Sequence, residues 1–114
     1  MADNVILIDF EDGIKRVMNN KKLFIKLLTK FKDGTNLDDL TASLAAGDME
    51  KAQADAHTIK GLAANLSLSE LFKQCLELET QIKAKAPAPG QLDMVKNAFA
   101  QTLQEIDKVI AENA

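Results

Sequence analysis

The 114-residue chain has no tryptophan, no tyrosine, one cysteine, one histidine and two prolines. Each scarcity excludes something. A lone cysteine closes no internal disulfide and suits a reducing compartment. Cys75 stands among Leu71, Phe72, Leu76 and Leu78, which reads as a buried, inert thiol rather than a reactive one. One histidine and one distant cysteine cannot fill a four-ligand metal site. No run reaches the ~20 apolar residues of a membrane span. Val5-Ile6-Leu7-Ile8 is too short, and lacks the basic lead-in, to read as a secretory signal. A cytoplasmic setting is therefore expected. A net charge of −3 and a pI of about 5.1 leave no basic face of the kind that supplies most nucleic-acid affinity. Neither nucleic acid nor membrane is expected as a partner.

The chain is 46% hydrophobic and 27% charged, and its apolar part is mostly Leu and Ala. That balance favours helix over sheet. The length suits one domain spanning residues 1–114, large enough to bury its own core. Asp9 is placed to cap a short helix holding Phe10, Ile14 and Val17, which Asn19-Asn20 interrupts. Leu23, Phe24, Leu27, Leu28 and Phe31 recur at the three- and four-residue spacing of a buried stripe. A third helix holds Leu37, Leu40 and Leu44. Gly47 reads as its stop and Asp48 as the next N-cap. The fourth, roughly Asp48 to Leu66, buries Ala52, Ala56, Ile59, Ala63 and Leu66. Ser67 and Glu70 read as a capping box, opening a fifth helix that buries Leu68, Leu71, Phe72, Cys75, Leu78 and Ile82. After the Pro-containing turn Lys85–Gly90, a sixth carries Leu92, Val95, Phe99, Leu103, Ile106 and Ile110. Four helices longer than ten residues on short loops predict an all-α, antiparallel up-and-down four-helix bundle, with a shorter N-terminal helix packed against it.

His57 falls on the fourth helix, away from the Ala stripe. Residues three and four away share its side: Gln53, Ala54, Lys60 and Gly61, then Ala64. None is large and apolar, so the histidine points outward. Imidazole is the side chain that switches between charged and neutral near physiological pH, and its neutral form is a nucleophile. Lys60 is the one cation one turn away, suited to a phosphoryl charge of about −1.5 to −2. Gly61 removes a Cβ that would crowd a substituent on the ring, although a helical glycine costs roughly 1 kcal/mol relative to alanine. The site lies mid-helix, ~14 Å from the Asp48 end at 1.5 Å per residue, beyond reach of the helix N-terminus. On the residues alone, two readings stay open: a surface histidine without a task, and a phosphoryl acceptor.

The segment Ala56-His57-Thr58-Ile59-Lys60-Gly61-Leu62-Ala63-Ala64-Asn65-Leu66 resembles the signature of histidine-containing phosphotransfer (HPt) domains: His-x-x-Lys-Gly, small residues, then an apolar one. Leu44-Ala45-Ala46-Gly47-Asp48 resembles the family's entry into the active helix, and Leu78-Glu79 its Leu-Glu pair on the next. The resemblance implies that His57 accepts the phosphoryl group, that Lys60 stabilises it and that Gly61 gives access. Glu79 stands 22 residues after the histidine, where some members carry a Gln near the imidazole. Two roles are open for it: a carboxylate orienting a ring N–H, or a solvated side chain beside Leu78 and Ile82. Ser67 departs from a glycine common at its position. The implied function is phosphoryl exchange with the aspartate of a response-regulator receiver domain, or with a hybrid histidine kinase. The partner supplies the catalysis and the Mg²⁺, so the chain itself is expected to be a monomeric carrier with no cofactor and no kinase activity. Gln53, Ala64 and Glu79 join the expected partner surface. Two other functions fit the same residues: a docking module that never carries phosphate, and the phospho-accepting domain of a chemotaxis-type histidine kinase.

Overall fold

Six helices run in chain order through the computed structural model, which describes residues 5–87 and 90–113. They are α1 Phe10–Arg16, α2 Lys21–Gly34, α3 Asp38–Ala45, α4 Met49–Asn65, α5 Ser69–Lys83 and α6 Gln91–Glu112. No strand occurs among the described residues, and none of these helices is long and apolar enough to cross a membrane. Ala88 and Pro89, in the expected turn before α6, lie outside the described residues.

α4 packs chiefly on α5, α5 on α6, and α6 on α2, while α3 covers one flank of α4. The Ala stripe makes the first of these close: Ala52, Ala56, Ile59, Ala63 and Leu66 are all buried. α5 answers with Leu71, Cys75, Leu78 and Ile82. Three details differ from the periodicity. Leu23 is exposed, and Leu27 only partly covered, because α2 turns Phe24, Leu28 and Phe31 to the core. Phe72 is likewise only half-buried. On α6 the buried line includes Ala98, Thr102 and Val109, with Leu92, Phe99, Leu103 and Ile110 at its edges. Thr102 tolerates burial because its hydroxyl donates to the Ala98 carbonyl at 2.7 Å.

The starts of α1 and α4 are capped as expected: Asp9 accepts from the Asp12 N–H, and Asp48 from the Lys51 N–H, each at 3.2 Å. α3 ends through Gly47, at φ +74, whose N–H bonds Leu44 O while that of Asp48 bonds Ser43 O. These are the paired bonds of a Schellman termination.

The capping box at Ser67 does not form. The N-cap of α5 is Leu68, with no side-chain capping bond. Ser67 ends α4 instead, in a second Schellman turn at φ +57, with Ser67 N bonded to Ala64 O and Leu68 N to Ala63 O. A left-handed residue is what that turn requires, which is the physical reason a glycine suits the position. The Ser67 hydroxyl turns back to α1 and donates to Asp12 Oδ2 at 2.7 Å, while Glu70 accepts from Gln74.

α1 packs on α2 with a close approach at Gly13. Phe10 meets the Phe24 ring edge-on at 5.5 Å between centroids, and a Cβ on Gly13 would run into that same buried ring. Gly13→Ala should therefore lower stability by about 1–2 kcal/mol in urea unfolding, overpacking outweighing alanine's gain in helix propensity.

Candidate functional site

α4 presents His57 on its solvent side, with 66% of the side chain exposed. On the adjoining face of α5, Glu79 is only 3% exposed, so the solvated reading of Glu79 is overturned. Both helices are amphipathic, but the seam between them admits one carboxylate. Three groups converge on it. His57 Nδ1 lies 3.2 Å from Glu79 Oε2, Lys60 Nζ 2.7 Å from Oε1, and Lys83 Nζ 3.6 Å from Oε2. The Lys60 contact is an ion contact whose angles fall outside those of a hydrogen bond, so Oε1 has charge compensation without an aligned donor.

A buried carboxylate without partners would take up a proton. Burial pushes the Glu79 carboxyl up. The Lys60 ammonium, by contact and by charge, the His57 hydrogen bond and the Lys83 charge outweigh it and hold Glu79 below the ordinary glutamate value. An ionised carboxylate only accepts hydrogen bonds, so Nδ1 is the nitrogen that carries hydrogen, and the lone pair of a neutral ring is on Nε2. Nε2 is the end of the ring turned from Glu79, on a mostly exposed side chain.

A basin of about 510 Å³ opens at His57, lined by Glu50, Gln53, Ala54, Thr58, Glu79 and Lys83. Gln53 and Ala54 are where helical spacing put them. Lys60 does not line the basin; it is turned into the α4–α5 seam and only 20% exposed. Gly61 has open space where a Cβ would stand. Ala64 lines a neighbouring hollow of about 220 Å³ with Asp12 and Arg16 of α1. The expectation that Lys60 is the one nearby cation is corrected by Lys83. Its signal was the four-residue spacing from Glu79, which carries meaning only once Glu79 is known to face inward. Cys75 is fully buried; burial first, then the Glu79 charge, pushes its thiol up to about 12, which leaves it without nucleophilic thiolate. No group of three or more metal-ligating side chains occurs among the described residues.

The class these features define is an all-helical protein whose outward histidine is bonded to a buried carboxylate on the neighbouring helix. The chain belongs to the Hpt domain family, whose model matches residues 27–111. Members of that family are phosphocarrier modules of phosphorelays, working with receiver domains or histidine kinases. No curated protein and no solved structure is a significant match to this chain.

The depressed Glu79 carboxyl has a consequence for stability. Its contribution is complete above the ordinary value of 4.5 and is lost as pH falls through that value toward the lower one of the folded state. The urea midpoint of the parent should fall more steeply on acidification below about pH 5 than that of Glu79→Gln, measured at matched ionic strength.

Proposed function

We propose that His57 carries a phosphoryl group through Nε2, exchanging it with the aspartate of a receiver domain. The observation that carries this reading is the bond from exposed His57 to buried, ionised Glu79, within a chain of the Hpt family. That bond holds the ring in the tautomer whose free nitrogen faces solvent.

In the forward step the Nε2 lone pair forms an N–P bond as the P–O bond to the receiver's aspartate breaks. The electron pair of the broken bond leaves with the aspartate carboxylate. The ring keeps its Nδ1 proton and becomes cationic, and Glu79 accepts from that N–H. Reversal returns the lone pair to Nε2 and the phosphoryl group to an aspartate. No proton enters or leaves, so the chain needs no general base of its own. The receiver supplies the Mg²⁺ and the in-line geometry.

The helix order and packing support an up-and-down four-helix bundle of α2, α4, α5 and α6; one domain over residues 1–114, a cytoplasmic setting and a monomeric state belong to the same proposal. Gln53 at the basin and Ala64 beside α1 are proposed to meet the partner on either side of His57. Gly61 serves access: the free fold leaves room for a Cβ there, so the glycine answers to what approaches from outside.

Incubation with a phosphorylated receiver should label the protein with a base-stable, acid-labile group. His57→Gln should take no label while keeping the parental helical spectrum; equal labelling of that variant would end the proposal. A parent that binds the receiver without taking label would instead mark a docking module. Gly61→Ala should separate stability from function. It should raise unfolding stability by about 0.5–1 kcal/mol through helix propensity, and slow transfer from the receiver at least several-fold. Stopped-time transfer assays and urea unfolding check the two halves.

A further inference from the structure

We propose that Lys83, on α5, is the cation that meets the phosphoryl group on His57, while Lys60 is committed to Glu79. The inference rests on the carrier reading of His57 and goes beyond it by reassigning the charge that the motif gives to Lys60.

Three observations carry it. Lys60 Nζ sits 2.7 Å from a carboxylate that is 3% exposed, and its own side chain is 20% exposed. Removing that cation would leave a buried carboxylate undercompensated, so its place is set by Glu79 whether or not phosphate is present. Lys83 is held on the same carboxylate more loosely, at 3.6 Å, and its side chain is 58% exposed. A long, solvated ammonium can leave such a contact at small cost. The third observation is position. Lys83 lines the basin at His57 and Lys60 does not. One atom, Glu79 Oε2, joins them: it touches His57 Nδ1 at 3.2 Å and Lys83 Nζ at 3.6 Å. A dianion arriving in the basin also faces the Glu50 carboxylate on its rim. Lys83 is the side chain there that offsets both acids.

The structure thus assigns two lysines two roles. Lys60 keeps Glu79 ionised, and so keeps Nδ1 protonated. Lys83 swings from Glu79 to the phosphoryl oxygens when Nε2 is loaded and returns when it is emptied. No bond to Lys83 forms or breaks in the transfer.

The test uses phosphoramidate, a small donor that loads histidine without a receiver. The parent, Lys83→Met, Lys83→Arg and Lys60→Met are loaded near neutral pH and freed of donor. Phosphorus NMR and the decay of the phosphohistidine follow, with urea midpoints alongside. Lys83→Met should move the phosphorus resonance and shorten the phosphohistidine half-life about two- to five-fold, with an unchanged urea midpoint. Lys83→Arg should restore the half-life. Lys60→Met should lower the urea midpoint. A Lys83→Met protein with the parental resonance and half-life overturns the assignment. So does a Lys60→Met protein that keeps the parental midpoint and alone shortens the half-life. A parent that takes no label from phosphoramidate overturns the carrier reading and this assignment together, whereas a labelled parent with an indifferent Lys83→Met overturns this assignment alone.

Discussion

A single carboxylate buried between α4 and α5 organises the reactive end of this molecule. Glu79 is the most enclosed acidic side chain described, and it stays ionised because Lys60, His57 and Lys83 surround it. Desolvating a carboxylate costs several kcal/mol unless charge and hydrogen bonds offset the loss. The three partners come from two helices, so the carboxylate binds α4 to α5 at the level of His57 and fixes which nitrogen carries hydrogen. Helix registry and ring tautomer therefore depend on the same few atoms, and so does the phosphoryl transfer proposed for His57. Replacing Glu79 by an apolar residue would leave Lys60 turned inward without a partner and free the imidazole to rotate. Glutamine could hold the ring, but it would leave Lys60 uncompensated.

The frame around that carboxylate is tied at a second point. The turn between α4 and α5 runs through Ser67 in the left-handed region, where a side chain is strained. Ser67 Oγ on Asp12, Asp9 N on Ser67 O and Glu70 N on Ile6 O attach the segment before α1, and α1 itself, to this turn. The serine hydroxyl, first, and Arg16 hold the Asp12 carboxyl below its usual range. Glycine would relax the backbone here but would lose the hydroxyl that reaches α1. The chain trades a conformational cost for a cross-link between the N-terminal helix and the turn that orients α5, and hence Glu79.

Much of the fold was legible because helices are governed by contacts three and four residues apart. The Ala stripe of α4, the caps Asp9 and Asp48, and the stop at Gly47 are all local, and all stand as read. His57 stands outward as its helical position implied and Gly61 has open space beside it, but Lys60 turns from that face into the α4–α5 seam. The errors fall where a second element decides. Ser67 has the composition of a capping residue, yet α1 offers its hydroxyl a carboxylate, and the Schellman turn already claims its backbone. Glu79 is charged, and charge on a helix face ordinarily means solvent. Its partner Lys60 lies 19 positions earlier, a separation at which helical spacing says nothing. Lys83 was hidden for the same reason at one remove.

A relay carrier must release what it accepts, so its phosphoryl group has to sit near the energy of the aspartyl phosphates on either side. The geometry suits that requirement. His57 stands mid-helix, remote from the amide cluster that makes a helix N-terminus an anion trap. The strongly held cation, Lys60, faces away from the basin and acts on the ring through Glu79. A surface ammonium on a flexible stem gives on the order of 0.2–1 kcal/mol, a factor of a few in equilibrium. An interaction of that size can steady the phosphoryl group against water without trapping it. A bidentate arginine buried in the same place would hold the group more firmly and make the return to an aspartate harder. For the carrier role proposed for His57, the weakness of the Lys83 contact is the property that would let the imidazole both take and give.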